Sequence, residues 1–360
     1  MKRLVLVALL FAALVPAASR AGACSPLNCS PSQFMLGNGS LLAVRGAVYQ
    51  NVRVIDLRTG NTLWRLPAGI VTGGTLVHKD GTLLTWYDAV RGARVRDAVL
   101  QVHGNFALAG ASQDGRTAVV ARTQGKSTTF GLVTSNSERI VKLGGNTWRF
   151  DALNGDKLFL IHYLKQGYEI RVMHLRSGVL DAPLKDPNAS STIWGSPWSR
   201  ASSPDGRYVY TLYLGSNGAS MVHALDTRNG TARCIDLPGT GSWDAASTYS
   251  LVVDPDRRHL WAISPGYGRV AHIDVPAHRV VDSYRFDAQS WNTNTGMAAL
   301  SPDGERIAVS DGYHIWFVEL AQRKVVAGPS HAVVGLGFSL DQSRLWVVGE
   351  RSRVSSLPAR

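Results

Sequence analysis

The sequence predicts an all-β fold, a closed ring of four-stranded sheets, and three observations carry the prediction. An Asp-Gly-type turn entering a short β-branched and aromatic run recurs eight times between residues 38 and 341. Between these turns a second signal recurs, a strand that ends in a polar turn, as in Val54-Ile55-Asp56-Leu57-Arg58-Thr59-Gly60. No segment of about 12 residues or more keeps the 3.6-residue apolar period of an amphipathic helix. A unit of four short strands and about 40–45 residues, repeated radially, is the blade of a β-propeller. The fold class is therefore all-β, a single β-propeller of seven or eight four-stranded blades, with eight favoured by the repeat count.

The chain opens on a segment that this fold does not need. Lys2 and Arg3 precede the apolar run Leu4–Val15, and Ala21-Gly22-Ala23 supplies small residues where a leader would be cut. The run is too short to span a bilayer and fits the core of a secretory signal, so residues 1–23 are expected to be a signal peptide. Residues 24–360 then form the propeller, with 24–33 as an N-terminal closing segment and the blades starting at 34. Cys24 would become the new N-terminus, either closing a small disulfide loop with Cys29 in an oxidising compartment or carrying a lipid anchor. Cys234, in the apolar context Ala232-Arg233-Cys234-Ile235, reads as a buried thiol.

Within the blades, strand a precedes the Asp-Gly turn, b follows it, c ends in an acidic residue and d closes the unit. The strongest turns are Ser203-Pro204-Asp205-Gly206 and Ser301-Pro302-Asp303-Gly304. Weaker copies lie at Asn38-Gly39, Asp80-Gly81, Gln113-Asp114-Gly115, Asn154-Gly155-Asp156, Pro255-Asp256-Arg257 and Asp341-Gln342. Their spacings are 42, 34, 41, 50, 51, 47 and 38 residues, and the short second spacing leaves little room for an outer strand in blade two, which keeps seven blades open. Echoes of the c–d signal follow at Leu175-Arg176-Ser177-Gly178 and Leu225-Asp226-Thr227-Arg228-Asn229-Gly230. These Pro-Asp-Gly and Ile-Asp-x-x-Thr-Gly signals resemble the YVTN, TolB-like and WD40-like propeller repeats across nearly all of residues 33–352. The resemblance implies a fold and no particular activity.

Charge excludes little but directs some. The formal charge of +12 falls to +9 once Lys2, Arg3 and Arg20 leave with the leader. The basic residues are scattered singly, whereas nucleic-acid binding concentrates them on one element or stripe. A mild attraction to anionic surfaces or polymers is the safer expectation. No later stretch is apolar and long enough to cross a membrane as a helix.

Ten tryptophans supply the one functional signal. Trp86, Trp261 and Trp346 are expected in b strands, Trp64 in a d strand and Trp316 in a c strand, all core positions. Trp148, Trp194, Trp198, Trp243 and Trp291 instead precede strand a in blades four to seven, in or near d–a loops. Antiparallel blades put d–a and b–c loops on one rim. The b–c loops of the same blades add Tyr163, Tyr168, Tyr213, Tyr267, Tyr313 and His314, and Asp244, Asn292 and Asn294 stand beside them. Aromatic groups with a few polar neighbours are the usual make-up of a binding surface. Each tryptophan also has a bland role open to it, packing against the next blade.

Catalytic motifs are absent from the sequence: no Gly-x-Ser-x-Gly, His-Glu-x-x-His, P-loop, Gly-x-Gly-x-x-Gly or Cys-x-x-Cys occurs. Only Asp244 and His314 stand out as channel-mouth acid or base, without a partner at fixed spacing. The expected function is a non-catalytic, secreted or cell-envelope binding or scaffolding propeller, monomeric and without cofactor or metal. Its aromatic rim would hold a protein, peptide or glycan. The alternative is a propeller hydrolase or lyase, lactonase-like, with a metal or an acid–base pair at the channel mouth.

Overall fold

A computed structural model describes residues 32–359 apart from 37–38, 46–50, 166, 187–192, 255–257, 289–295 and 350–352. It is an eight-bladed β-propeller: eight antiparallel sheets follow one another along the chain, six of four strands and two of three among the described residues. Blade one is β1–β4 (Ser32–Leu36, Leu41–Arg45, Val52–Asp56, Thr62–Leu66) and blade two β5–β8 (Ile70–Thr72, Thr75–Asp80, Leu83–Asp88, Ala93–Val99). Blade three is β9–β12 (Ala107–Ala111, Ala118–Gln124, Ser127–Val133, Glu138–Gly144), and blade four β13–β15 (Trp148–Asn154, Lys157–Tyr163, Tyr168–His174). Blade five is β16–β19 (Ser196–Ser202, Tyr208–Leu214, Ser220–Asp226, Thr231–Leu237) and blade six β20–β23 (Ser250–Val253, His259–Ser264, Arg269–Asp274, Arg279–Arg285). Blade seven is β24–β27 (Met297–Leu300, Arg306–Ser310, His314–Glu319, Lys324–Ser330), and blade eight β28–β30 (Gly335–Phe338, Arg344–Val348, Val354–Pro358). Among the described residues one short helix, α1 (Trp243–Ser247), interrupts the loop between blades five and six.

The core is divided in the way the fold demands. Eight buried apolar clusters occur, one at each junction between neighbouring blades, including the junction of blade eight with blade one. Strands read as near-continuous apolar runs where both faces are covered: Leu41–Arg45 and Val52–Asp56 are buried at every position. The outer strand β4 instead alternates, and β23 and β27 expose every second residue or more.

The predicted a–b turns are built by one device in four blades. Ser112, Ser203, Ser301 and Ser339 follow strand a and are buried. Each hydroxyl donates to the Asp two residues on (Asp114, Asp205, Asp303, Asp341) at 2.5–2.6 Å. Each also accepts the N–H five residues on, from Thr117, Tyr208, Arg306 or Arg344, at 2.9–3.0 Å. The Asp oxygen takes the next free N–H, so a tight hairpin leaves no buried backbone donor unpaired.

Blade two departs from the sequence reading. Asp80-Gly81 joins β6 to β7, a b–c turn, and the a–b turn is Gly73-Gly74 between the three-residue β5 and β6. Trp86 therefore lies in a c strand rather than a b strand. Blade two keeps all four strands, which settles the count at eight. Trp64, Trp261, Trp316 and Trp346 lie in d, b, c and b strands as expected. Of the anticipated closing segment, Ser32 and Gln33 belong to β1, the first strand of blade one, and residues 24–31 lie outside the described residues, as do the leader, Cys24 and Cys29.

The two rims differ in chemistry. The a–b and c–d turns carry paired charges in six blades: Arg58–Asp56, Arg91–Asp88, Arg116–Asp114, Arg176–Asp156, Arg207–Asp226 and Arg306–Glu319. The opposite rim, made by b–c and d–a loops, is rich in glycine and aromatic residues.

Candidate functional site

On that second rim the strand ends of blades four and five, with the loop that carries α1, surround an open depression of about 650 Å³. Its walls are Tyr163, Leu164, Gly167 and Tyr168 from the b–c turn of blade four, and Gly195 and Ser196 from the entry to β16. Leu214 and Ser216 of blade five and Trp243 of α1 complete it. None of these nine side chains is a carboxylate, an ammonium, a guanidinium or an imidazole.

The backbone around this depression is fixed from several directions. Ile193 pairs with Tyr168 in both directions, at 3.0 and 2.7 Å, which pins the entry to β16. Gly195 has φ +95°, and a Cβ there would stand 2.6 Å from the Leu214 carbonyl oxygen, so only glycine lets the two loops close on each other. Ser242 caps α1 by accepting the Ala245 N–H at 3.1 Å. The Tyr267 hydroxyl sits 2.8 Å from the Gly218 carbonyl and 2.6 Å from that of Ser242, tying the b–c loops of blades five and six to the helix. Trp198 donates its indole N–H to Ser247 at 2.8 Å and meets Trp243 edge-on, ring centres 5.0 Å apart.

Against this fixed frame the tryptophans separate into two kinds. Trp148 starts β13 and is buried, stacked on His162 at 4.0 Å with its N–H on the Gly144 carbonyl at 2.7 Å. Trp198 belongs to strand a itself and is half-buried. Trp194 and Trp243 are the exposed pair, with 59% and 39% of their surface in solvent. Neither indole N–H has a bonded protein partner among the described residues. Trp291, Asn292 and Asn294 lie outside the described residues.

The tyrosines divide in the same way. Tyr168 and Tyr213 are buried and stacked on each other at 4.9 Å, and Tyr163 leans on Tyr168 at 5.9 Å. Burial raises the phenol pKa of all three, so each stays a neutral hydroxyl. Beneath them Arg200 of β16 donates to the Asp151 carbonyl at 2.6 Å, to the Asp151 carboxylate, and to Thr211 at 3.2 Å, joining the innermost strands of blades four and five. His223, on β18, is enclosed beside Tyr213, and burial pushes its pKa down to about 4. Cys234 lies opposite His223 across the sheet, its thiol pushed up to about 12 by burial, which makes it a packed thiol and not a nucleophile.

Farther round the rim, Tyr313 is half-exposed and Asp244 stands in the first turn of α1. His314 pairs with Asp311, not with Asp244: its Nδ1 lies 3.1 Å from Asp311 Oδ2, and Asp311 also accepts the N–H groups of Tyr313 and His314. Asp311 is thus a residue that sequence reasoning passed over, although the spacing Asp311-Gly-Tyr-His314 shows it. Leu164, Ser196, Leu214 and Ser216 were passed over as well, because nothing in their type distinguishes them from other loop and strand-end residues. Among the described residues no three His, Cys, Asp or Glu side chains converge as metal ligands, and no helix is long and apolar enough to cross a membrane.

No family model matches this sequence, and no curated protein matches it. Solved structures match it in shape. The chain is similar to the Dos1 propeller, at TM-score 0.53 and 10% identity over 93% of this chain and 94% of that one. It is also similar to apo AztD from Citrobacter koseri, at TM-score 0.50 and 13% identity over 83% and 86%. Sequence identity this low carries the fold and nothing of the site.

Proposed function

We propose that this chain is a binding propeller, exported by its N-terminal leader, that holds a protein, peptide or glycan partner on the rim between blades four and five. Its repeat signals, of the YVTN and TolB-like kind, supply a rigid ring, and the loops of one face supply the contact. One observation carries the reading: Trp194 and Trp243 keep their indoles in water beside backbone held by the Ile193–Tyr168 pairing and by the cap and ties of α1. Exposed tryptophan on a mobile loop is unremarkable in energy, since the loop can fold it away. Here that relief is blocked, and a preformed aromatic surface gives up little entropy when a partner covers it.

The test is calorimetric titration of the mature protein with peptide and glycan panels, beside Trp194→Ala and Trp243→Ala. Truncating a central aromatic of a binding surface weakens affinity by about tenfold or more. Trp194→Ala, the more exposed, should melt like the parent, within about 0.5 kcal/mol, and Trp243→Ala, which also loses its edge-on contact with Trp198, should cost about 1 kcal/mol. Trp148→Ala is the contrasting control and should lose about 3–5 kcal/mol of stability as a buried aromatic. Equal binding by parent and both rim variants would remove the rim as the site.

A further inference from the structure

The depression between blades four and five has a chemistry narrower than "protein, peptide or glycan", and we infer that it takes a proline-rich segment in the extended polyproline II conformation. This rests on the binding reading above and names its ligand class. Three features select the class. First, no ionisable side chain other than tyrosine lines the depression, so a charged ligand group would enter without a counter-charge and lose its hydration unrepaid. Second, the polar side chains among its lining residues are the hydroxyls of Tyr163, Tyr168, Ser196 and Ser216 and the indole of Trp243. They supply donors for a ligand whose unmet groups are carbonyls. A polyproline II strand presents carbonyls with no internal hydrogen bonds, and proline brings no N–H that would need an acceptor.

An oligosaccharide makes the opposite demand. Each of its hydroxyls both donates and accepts, and burying them calls for carboxylate, amide or guanidinium partners, none of which lines this depression. Third, the wall carries aromatic side chains, Tyr163 and Trp243 over the buried Tyr168, with exposed Trp194 adjoining Gly195. Ridged aromatic grooves receive proline rings because the ligand is already extended and gives up little freedom on docking.

The experiment is calorimetry and tryptophan fluorescence of the mature protein with decaproline, an equally long glycine–serine peptide, and maltohexaose. Decaproline is expected to bind saturably, at a Kd unchanged by added salt, while the other two give no saturable signal. Trp194→Ala and Trp243→Ala should each weaken decaproline by about tenfold or more, and Tyr163→Phe, which keeps the ring and removes one donor, by about three- to tenfold. If maltohexaose binds with the same tryptophan dependence and decaproline does not, the ligand class is overturned while the binding rim stands. If decaproline binds parent and both tryptophan variants alike, it sits elsewhere and both readings fall. If no probe gives a saturable signal, the proline-rich assignment falls.

Discussion

His223 is the residue on which the buried floor of the site turns electrostatically. Its ring is enclosed between β17 and β19, edge-on to Tyr213, and Nε2 has no hydrogen-bond partner among the described residues. Burial disfavours its charged form and lowers its pKa from 6.5 to about 4, with Asp151 opposing and Arg200 reinforcing the shift. In the unfolded chain the same imidazole takes up its proton near 6.5. Between those values the unfolded state holds more protons, so stability falls as pH drops through the window. The expected loss from neutrality to a pH of about 5 is about 2 kcal/mol. His272 and His278 shift in the same direction, so the parent alone cannot apportion the slope. His223→Leu separates them: urea denaturation of that variant at both pH values should show a pH dependence smaller by about 2 kcal/mol. An unchanged slope would mean that His223 is protonated or solvated in the folded protein. Asp226 and Asp303 act below that window: hydrogen bonds from Arg207 and Ser301 overcome burial and hold both carboxyls below their ordinary value. Their contribution is present above the unfolded carboxylate pKa and lost as pH falls through the folded one.

At the scale of elements, what was legible in the sequence is what local chemistry dictates. The turns at Asp114, Asp205, Asp303 and Asp341 are read directly, because the carboxylate that closes the hairpin is itself the signal, with its serine partner visible at Ser203 and Ser301. Asp80-Gly81 misled because the same pair closes any tight hairpin and says nothing of which hairpin in the blade it closes. Exposure was not legible either. Trp148 opens strand a of blade four and Trp194 precedes strand a of blade five, but His162 on the neighbouring strand offers a flat face to stack on only in the first case. The fixed frame around α1 was invisible for a similar reason, since Tyr267, Ser242 and Gly218 come from loops of two blades. Tyr267→Phe tests that frame. Loss of the hydroxyl should cost about 1 kcal/mol and speed amide exchange of the Gly241, Ala245 and Ala246 N–H groups while leaving that of β17 unchanged. Ligand affinity should fall too, because a loosened Trp243 must be ordered on binding. Exchange rates equal to the parent's would show that the helix is held by its own cap and by Trp198 alone.

The whole ring stands or falls with its last junction, where blade eight meets blade one. No strand hydrogen bonds cross it among the described pairings, so side chains and close packing hold the two ends of the chain together. Gln33 on β1 donates to the Ala298 carbonyl of blade seven at 2.5 Å and accepts the Leu336 N–H of blade eight at 2.8 Å, spanning two junctions with one amide. Arg53 donates to the Gly349 carbonyl at 3.1 Å, and Trp346 to that of Leu57 at 2.8 Å. Gly337 lets the blades approach so closely that a Cβ there would lie 2.7 Å from Leu57. Removing residues 340–360 deletes β29 and β30, leaves Arg53 and Leu57 without their partners Gly349 and Trp346, and uncovers the apolar clusters on both sides of blade eight. An open ring also exposes sheet edges, which pair with other chains. The truncated protein should therefore run as aggregates on gel filtration and lose its cooperative melt, and it should do so even though the depression between blades four and five lies on the far side of the ring in sequence. A truncation that stays monomeric and melts in one sharp transition would show instead that the other junctions suffice to hold an arc of blades, and that closure contributes uniqueness rather than stability.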